Sequence, residues 1–458
     1  MSEISVLTIP LKTEIWQEDV LFKRFEIYRS IYNAMLGYRL KQYRKMTRDQ
    51  RYKESIEVIY GAYKAETEKE KKEIKKSNEY KLATGIQKVL LKEYGFSDFS
   101  FRSEAVEFAR HFSDTTNTKV VAMSVGIPMW SAFDKMLFGN GKIAHFKKYN
   151  TWTSIVSNAK TGIRIVDAKK LTTSEMDSRE QYYCLVSSKK GKDLMMPLKI
   201  DRKDHYMLEM MERKIHQVRI VRENVKGKYK YCVQLAVEGS PAIKYDKNGE
   251  ELHKIGNQKL GVYIDTTSIT VATAEGIKSI SIAFPNNDED RITKLQQYMD
   301  NSRRATNPDN FNDDGTIKNG IFKDGQRHPL HWTYSNGYIK AKNELSDIYR
   351  KQAKNRKIRA NKIANQIISI GADITVNDYP FQLAAMRKKE DELTDKGTPA
   401  SKKKAGKKIG QNAPATIVTV IDQKLKSRGY SGVVKKKLKV DYSISEYRQF
   451  YANELYRA

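Results

Sequence analysis

The sequence predicts a multidomain α+β protein. A small β-module, a partly open barrel in form, is split by a long helical insertion and followed by an α/β domain. Three observations carry this. Apolar residues recur at three- and four-residue steps from about Trp16 to Glu79, and the period becomes two between about Thr161 and Val237. From 257 onward, strand-like and helix-like stretches alternate. The 458 residues accommodate about three domains at roughly 150 residues each.

Residues 1–15, with Ile4–Leu11 as a strand, open the β-module. In the insertion, Val20, Phe22, Phe25, Tyr28, Ile31, Tyr32 and Met35 carry the three- and four-residue recurrence of a helix, and the helical pattern runs to about Glu79. Glu66–Lys76 mixes acids and bases as an exposed helix does. Further helices are expected at Lys81–Lys92, Ser103–Phe112 and Pro128–Leu137. Glycines at 139 and 141 then break the pattern, and the residues to Trp152 interleave aromatics with lysines. Rings beside cations suit an unpaired or distorted nucleic-acid strand; they suit an ordinary loop with surface lysines equally.

Between Thr161 and Val237 the strands are Met195–Ile200, Val218–Arg222 and Tyr229–Val237. Tyr229, Tyr231, Val233, Leu235 and Val237 share one face because side chains alternate across a strand. Ser240–Gly256 is a linker. Lys259–Gly276 is a hairpin turning at Thr266-Thr267-Ser268, and Asp290–Arg304 is a helix. Thr306–Tyr334 is a long loop, and Tyr338–Ile370 a long helix whose middle gathers Arg350, Lys351, Lys354, Arg356, Lys357, Arg359 and Lys362. Gly371 stops it, and Asp373–Asp378 is a buried strand. Arg387–Lys408 is charged and of low complexity. Ala415–Arg428 reads as the last helix and Val433–Val440 as the last strand.

Charge narrows the function. The chain has 84 Lys and Arg against 55 Asp and Glu, a net +29, which a polyanion would neutralise. The cations are spread along the chain rather than gathered beside one amphipathic segment, which favours nucleic acid over an anionic membrane. Cys184 and Cys232 are the only cysteines, excluding a disulfide scaffold and a four-cysteine zinc module. No run reaches the ~18 apolar residues of a membrane span, and the first residues lack a secretion-signal layout. The expectation is a soluble, cytoplasmic, nucleoid-associated protein with no membrane partner.

Several stretches, in order, resemble the RuvC-type nuclease domain of the transposon-encoded RNA-guided nucleases called TnpB and of their relatives, the type V CRISPR effectors. They are Leu260-Gly-Val-Tyr-Ile-Asp265 with Ile269-Thr-Val-Ala-Thr273, Ser302-Arg-Arg-Ala-Thr-Asn-Pro308, Gly315-Thr-Ile-Lys318, the basic stretch Tyr349–Ile374, Ile374-Thr-Val-Asn-Asp378, Asn412-Ala-Pro414 and Leu425-Lys-Ser-Arg-Gly-Tyr430. The first half is similar too, with Lys228-Tyr-Lys-Tyr231 as a closing strand. The resemblance implies a β-barrel-like wedge domain (1–15 and 160–256, linker included) split by a helical recognition domain (16–159). A RuvC-like domain of the RNase H fold (257–458), lacking the zinc ribbon, follows.

RuvC-type cleavage uses two divalent cations about 4 Å apart, held by acidic side chains. The resemblance puts the first acid at Tyr263, a neutral phenol, and the second at Asn377, a neutral amide. The third acid normally follows a zinc ribbon; no Cys lies beyond 232, and the chain ends soon after Tyr442. The expectation is that all three acids are missing, with no zinc, no magnesium pair and no other cofactor. Two nearby acids do not substitute. Asp265 lies on the face of residue 263 but about 6–7 Å along the strand, where it is expected to be a hydrogen-bonding turn residue. Asp378 points to the opposite face. His328 and His331 are loop residues without metal-ligand spacing, and no phosphate-binding glycine motif or nucleophile elbow is present.

The combination resembles the nuclease-dead TnpB-like RNA-guided repressors. It implies a protein that binds a guide RNA and a matching double-stranded DNA beside a short adjacent motif, blocking polymerase without cutting. Lys147, Lys148, Trp152, Arg303, Arg304, Arg350, Lys354 and Lys357 are the expected phosphate or stacking contacts. The main alternative is a divergent but active RNA-guided endonuclease of the TnpB type; another is a guide-independent architectural DNA binder.

Overall fold

Alternation along Tyr231, Val233, Leu235 and Val237 sets the first sheet, because each of these side chains is buried while its neighbours are half-exposed. The computed structural model describes residues 3–64, 67–112, 114–139, 141–170, 180–187, 193–285, 288–323, 325–385 and 405–458. The chain is a mixed α+β protein of two compact units, residues 1–223 with 229–239 and residues 224–228 with 240–458.

The first unit begins with β1 (Ile4–Pro10). Helices α1 (Ile15–Arg48), α2 (Gln50–Lys64), α3 (Glu68–Lys76), α4 (Asn78–Glu93), α5 (Asp98–Arg110), α6 (Thr118–Val121) and α7 (Ile127–Phe138) follow. The chain then returns to strands: β2 (Ser154–Asn158), β3 (Ile163–Asp167), β4 (Tyr182–Val186), β5 (Leu194–Pro197), α8 (His205–Glu212), β6 (Ile215–Val225) and β7 (Lys228–Glu238). One sheet has the order β1-β7-β6-β2, and β3-β4-β5 form another. β1 lies antiparallel on β7, with Leu7 opposite Leu235 and Ile9 opposite Val233, so strands from the two ends of this unit close one core across the helical insertion.

Differences from the sequence expectations have local causes. The helix expected to run to Glu79 is cut at Asp49, whose backbone is extended at ψ 130° and whose carboxylate accepts the Arg51 N–H at 3.0 Å. β2 falls inside residues 16–159, expected to be helical, and α8 was not expected. Five-residue strands such as β2 and β3 leave too few alternations to announce themselves.

A buried cation organises this unit. The Arg222 Nε donates to the Trp152 carbonyl at 2.6 Å, and its side chain is fully buried 3.4 Å from the Glu26 carboxylate. Its guanidinium carbon lies 4.6 Å from the Phe25 ring centre, 4.8 Å from Tyr229 and 5.5 Å from Phe22. Low dielectric strengthens each of these contacts.

The second unit runs β8 (Lys259–Ile264), β9 (Ser268–Thr273), β10 (Gly276–Ser281), α9 (Glu289–Thr306), β11 (Ile321–Lys323), β12 (Gln326–His328), α10 (Asn336–Ile368), β13 (Asp373–Asn377), α11 (Phe381–Ala385), α12 (Ala405–Asn412), α13 (Pro414–Lys426), β14 (Val433–Lys436) and α14 (Tyr447–Arg457). Its main sheet has the order β10-β9-β8-β13-β14. The first three strands are antiparallel, and β13 runs parallel to both β8 and β14. Leu260, Val262, Ile264, Ile374 and Val376 face a core completed by Ile363 and Ile367 of α10 and by Ile417, Ile421 and Leu425 of α13. The opposite face, with Tyr263 and Ala272, is covered by Tyr451, Ala452 and Leu455 of α14.

α14 and β10 were not expected; Val433–Val440 had been read as the last element. Gly261 is what lets α14 approach: a Cβ there would stand 2.1 Å from the Ala452 carbonyl oxygen. Residues 387–404 of the low-complexity stretch lie outside the described residues. Among the described residues no helix is long and apolar enough to cross a membrane.

Replacing Arg222 by Ala should leave the Trp152 carbonyl without its donor and remove the guanidinium packed among Phe22, Phe25 and Tyr229, while Glu26 keeps Arg29; the first unit should lose about 1–3 kcal/mol. Amide hydrogen exchange should accelerate along α1, β6 and the loop carrying Trp152. Arg222→Lys should not restore protection, because one ammonium cannot reproduce the planar fork.

Candidate functional site

Residue 263 is built into a core. Its place on β8 turns the side chain away from Val262 and Ile264 and under α14, leaving it 1% exposed. The ring stacks on Tyr451 at 5.9 Å and 27°, and meets Tyr447 edge-on at 6.0 Å. Burial, with Tyr442, Tyr447 and Asp265 nearby, pushes the phenol up from its ordinary value, so it stays neutral at physiological pH. The hydroxyl has no hydrogen-bond partner among the described residues.

Asn377 sits on the same face at the end of β13 and is 6% exposed. Its Oδ1 accepts the Ile264 N–H at 2.7 Å, and its Nδ2 donates to the Ile264 carbonyl at 2.9 Å. The last backbone pair between these strands is Val376 with Val262, so the amide continues the seam where the ladder ends. Asp378 is exposed; its backbone N–H donates to Lys436 on β14 at 2.8 Å.

Asp265 closes the β8–β9 turn. Its Oδ1 accepts the N–H groups of Thr267 and Ser268 at 2.7 and 2.8 Å, and its Oδ2 accepts Arg448 Nε of α14 at 2.5 Å. Burial works to raise its pKa, but the two backbone donors and Arg448 hold it below the ordinary 3.8. Arg448 itself lies over the Tyr447 ring at 5.2 Å. A cleft of roughly 380 Å³, lined by Thr270, Ser279, Tyr447 and Arg448 among others, opens beside this pair.

These residues do not fit a magnesium pair. Hard cations need several free carboxylate oxygens converging at short range. Here one Asp265 oxygen holds two backbone amides and the other a guanidinium, and no three acid, His or Cys side chains converge to hold an ion among the described residues. The Asn377 oxygen is committed to a backbone N–H, and Tyr263 adds a ring and a neutral hydroxyl. Arg448 and α14 were missed in the sequence. The available signal was the spacing of Tyr447, Tyr451 and Leu455, four residues apart on one helical face.

The expected contact residues sort into three groups. Trp152 is a correction: it is 8% exposed, its ring lies 5.4 Å from Tyr32, and its carbonyl takes the Arg222 bond. It is a core residue, not a stacking surface. The arginines bind their own fold. Arg303 and Arg304 donate to the two Asp300 oxygens at 2.7 and 2.8 Å, and Arg304 also reaches the Gly315 carbonyl at 2.7 Å. Arg350 donates twice to the buried Asp347 at 2.8 and 2.9 Å. Lys147, Lys148, Lys354 and Lys357 are exposed. Lys147 and Lys148 lie in unit one, and Lys354 and Lys357 on α10.

Comparison with known proteins gives no matching family model and no match among curated proteins. Among solved structures, the chain is similar to a Cas12f1–sgRNA–target DNA complex, with a TM-score of 0.36 and 14% identity over 95% of this chain and 89% of that one. A CRISPR-Cas12f ternary complex matches with a TM-score of 0.25 and 15% identity, covering 96% of this chain and 76% of that one. A Cas12i–crRNA–double-stranded DNA complex gives 0.29 and 10%, covering 94% and 56%. These scores are low, and function is read from the side chains.

Replacing Asn377 by Asp keeps the acceptor but removes the donor to the Ile264 carbonyl. It should destabilise the second unit by about 1–3 kcal/mol, read as faster exchange at β8 and β13. For Asp265, a folded-state pKa below 3.8 means its stabilisation is complete above the unfolded value and disappears as pH falls through the folded one. Asp265→Asn should therefore lower the melting temperature at neutral pH and flatten its fall on acidification.

Proposed function

We propose that this chain is a nuclease-dead RNA-guided DNA-binding protein. It holds a guide RNA, pairs it with matching double-stranded DNA beside a short adjacent motif, and represses transcription by remaining bound in the path of polymerase. In this reading residues 1–15 and 160–256 form the wedge, 16–159 the recognition domain, and 257–458 a RuvC-like domain whose sheet of three antiparallel and two parallel-joined strands has lost its metal centre.

The observation that carries the reading is the pair of side chains at positions 263 and 377. The resemblance assigns metal-binding acids to both. One holds a phenol inside an aromatic core and the other an amide with both polar atoms bound to the Ile264 backbone. A net charge of +29 supports a polyanionic partner. Sequence is then read by base pairing, and the protein grips the duplex through backbone shape and charge; the exposed Lys354 and Lys357 on α10 serve that grip.

The test starts from the RNA that co-purifies with the full chain, whose variable end defines the target duplex. With magnesium and that duplex, the expected result is guide-dependent protection of intact DNA. Lys354→Gln with Lys357→Gln should weaken it and reduce the salt slope by about 1.8, at roughly 0.9 per phosphate contact. Cleavage abolished by Asp265→Ala would instead establish a divergent endonuclease. Affinity indifferent to RNA would establish an architectural binder.

A further inference from the structure

Residues 141–153, between α7 and β2, contain Lys142, Phe146, Lys147, Lys148 and Tyr149 and no acidic residue. Helix α1 fixes their backbone. Asn33 Oδ1 accepts the Lys147 N–H at 2.8 Å and Asn33 Nδ2 donates to the Lys147 carbonyl at 2.9 Å. Glu26 accepts the Asn150 N–H at 2.9 Å, and Asn150 takes the left-handed turn at φ 64°. The Phe146 ring lies against Gly37, 3.9 Å from where a Cβ would stand. The Tyr149 ring meets Phe22 edge-on at 6.0 Å, with the Arg29 guanidinium 5.9 Å from its centre.

Each ring is thus held against the fold, yet Phe146 is 57% and Tyr149 66% exposed. Trp152, only three residues on from Tyr149, is buried. Leaving two large rings in water forgoes hydrophobic stabilisation, and a pinned backbone that presents them is preorganised for a flat ligand. The flanking lysines give that ligand a negative charge.

We propose that this loop is a stacking platform for unpaired nucleotides, with bases lying on Phe146 and Tyr149 and phosphates neutralised by Lys147 and Lys148. A duplex keeps its base faces stacked internally, so the partner is a single strand; unpaired RNA and displaced DNA share this chemistry. The platform rests on the function proposed above only for the identity of its ligand as nucleic acid.

Full-length protein stripped of RNA is titrated with fluorescent oligonucleotides of about 12 nucleotides as unpaired RNA, unpaired DNA and blunt duplex, and with phosphatidylserine vesicles. Phe146→Ala with Tyr149→Ala should weaken unpaired-strand binding at least ~10-fold, leave the salt slope unaltered and leave the duplex unaffected. Lys147→Gln with Lys148→Gln should lower the single-strand slope by about 1.4, at roughly 0.7 per phosphate. The preferred sugar identifies the strand. If the alanine pair unfolds, Phe146→Leu with Tyr149→Leu keeps apolar bulk without a flat face and should show the same loss. Undiminished single-strand binding, equal loss on duplex, or ring-dependent vesicle binding without oligonucleotide binding overturns the platform. The function proposed above is judged separately, by guide-dependent occupancy of matched DNA in the unsubstituted protein.

Discussion

The second unit depends on a short bridge between two parallel strands. β8 and β13 stop pairing at Val262 and Val376, and beyond them the Asn377 amide takes both polar groups of Ile264. A primary amide supplies an acceptor and a donor in one plane at that spacing at any ordinary pH; an ionised carboxylate offers acceptors alone and leaves the buried Ile264 carbonyl without its bond. The bridge carries the sheet to the mouth of the β8–β9 turn, and so fixes where Tyr263 and Asp265 stand.

Neutrality follows from this. With an amide at residue 377, Asp265 is the buried carboxylate beside it among the described residues, and a buried anion costs several kcal/mol unless it finds a partner. Asp265 finds several: the N–H and hydroxyl groups of Thr267 and Ser268 from its own turn, and Arg448 from α14. A metal ion would have supplied positive charge from outside; here the fold supplies it from within. Beneath α14 the face is aromatic and aliphatic, with Tyr263 stacked on Tyr451 and the glycine at 261 admitting the α14 backbone. The chemistry of a cation site and the packing of this core are mutually exclusive on the same square of sheet.

How much of this was legible in the sequence varies with the length of the signal. The hairpin at 259–276 and the long helix ending near 368 show because β-branched runs and helical spacing persist over many residues. β1 and β7 show because alternating burial repeats several times. α14 stayed hidden: its eleven residues are mostly polar or tyrosine, and Glu446 before it takes a left-handed conformation without a side-chain cap, so no start signal marks it. The substitutions at 263 and 377 were legible as losses of charge. That Asn377 acts as a backbone bridge was not, because its partner is 113 residues away. Trp152 failed for a different reason. Aromatic and lysine residues alternate in that loop, but composition gives no direction, and the buried Arg222 decides which ring turns inward.

The basic residues divide by chemistry more than by position. Arg222, Arg303, Arg304, Arg350 and Arg448 all hold fixed partners within their own units, commonly two at once. Lys147, Lys148, Lys354 and Lys357 stand in solvent. Guanidinium is planar, weakly hydrated and carries five donors, so it is buried at lower cost and joins several acceptors; an ammonium on a flexible stem is strongly hydrated and stays outside. In a chain of this charge, net positive balance therefore overstates the surface available to a polyanion wherever arginine contributes it. Acids are depleted relative to cations, and Asp300, Asp347 and Asp265 are each already occupied by arginine. In the function proposed above, contact along exposed lysines would be mobile and salt-sensitive, with orientation coming from fixed features such as the rings presented by the loop at 141–153.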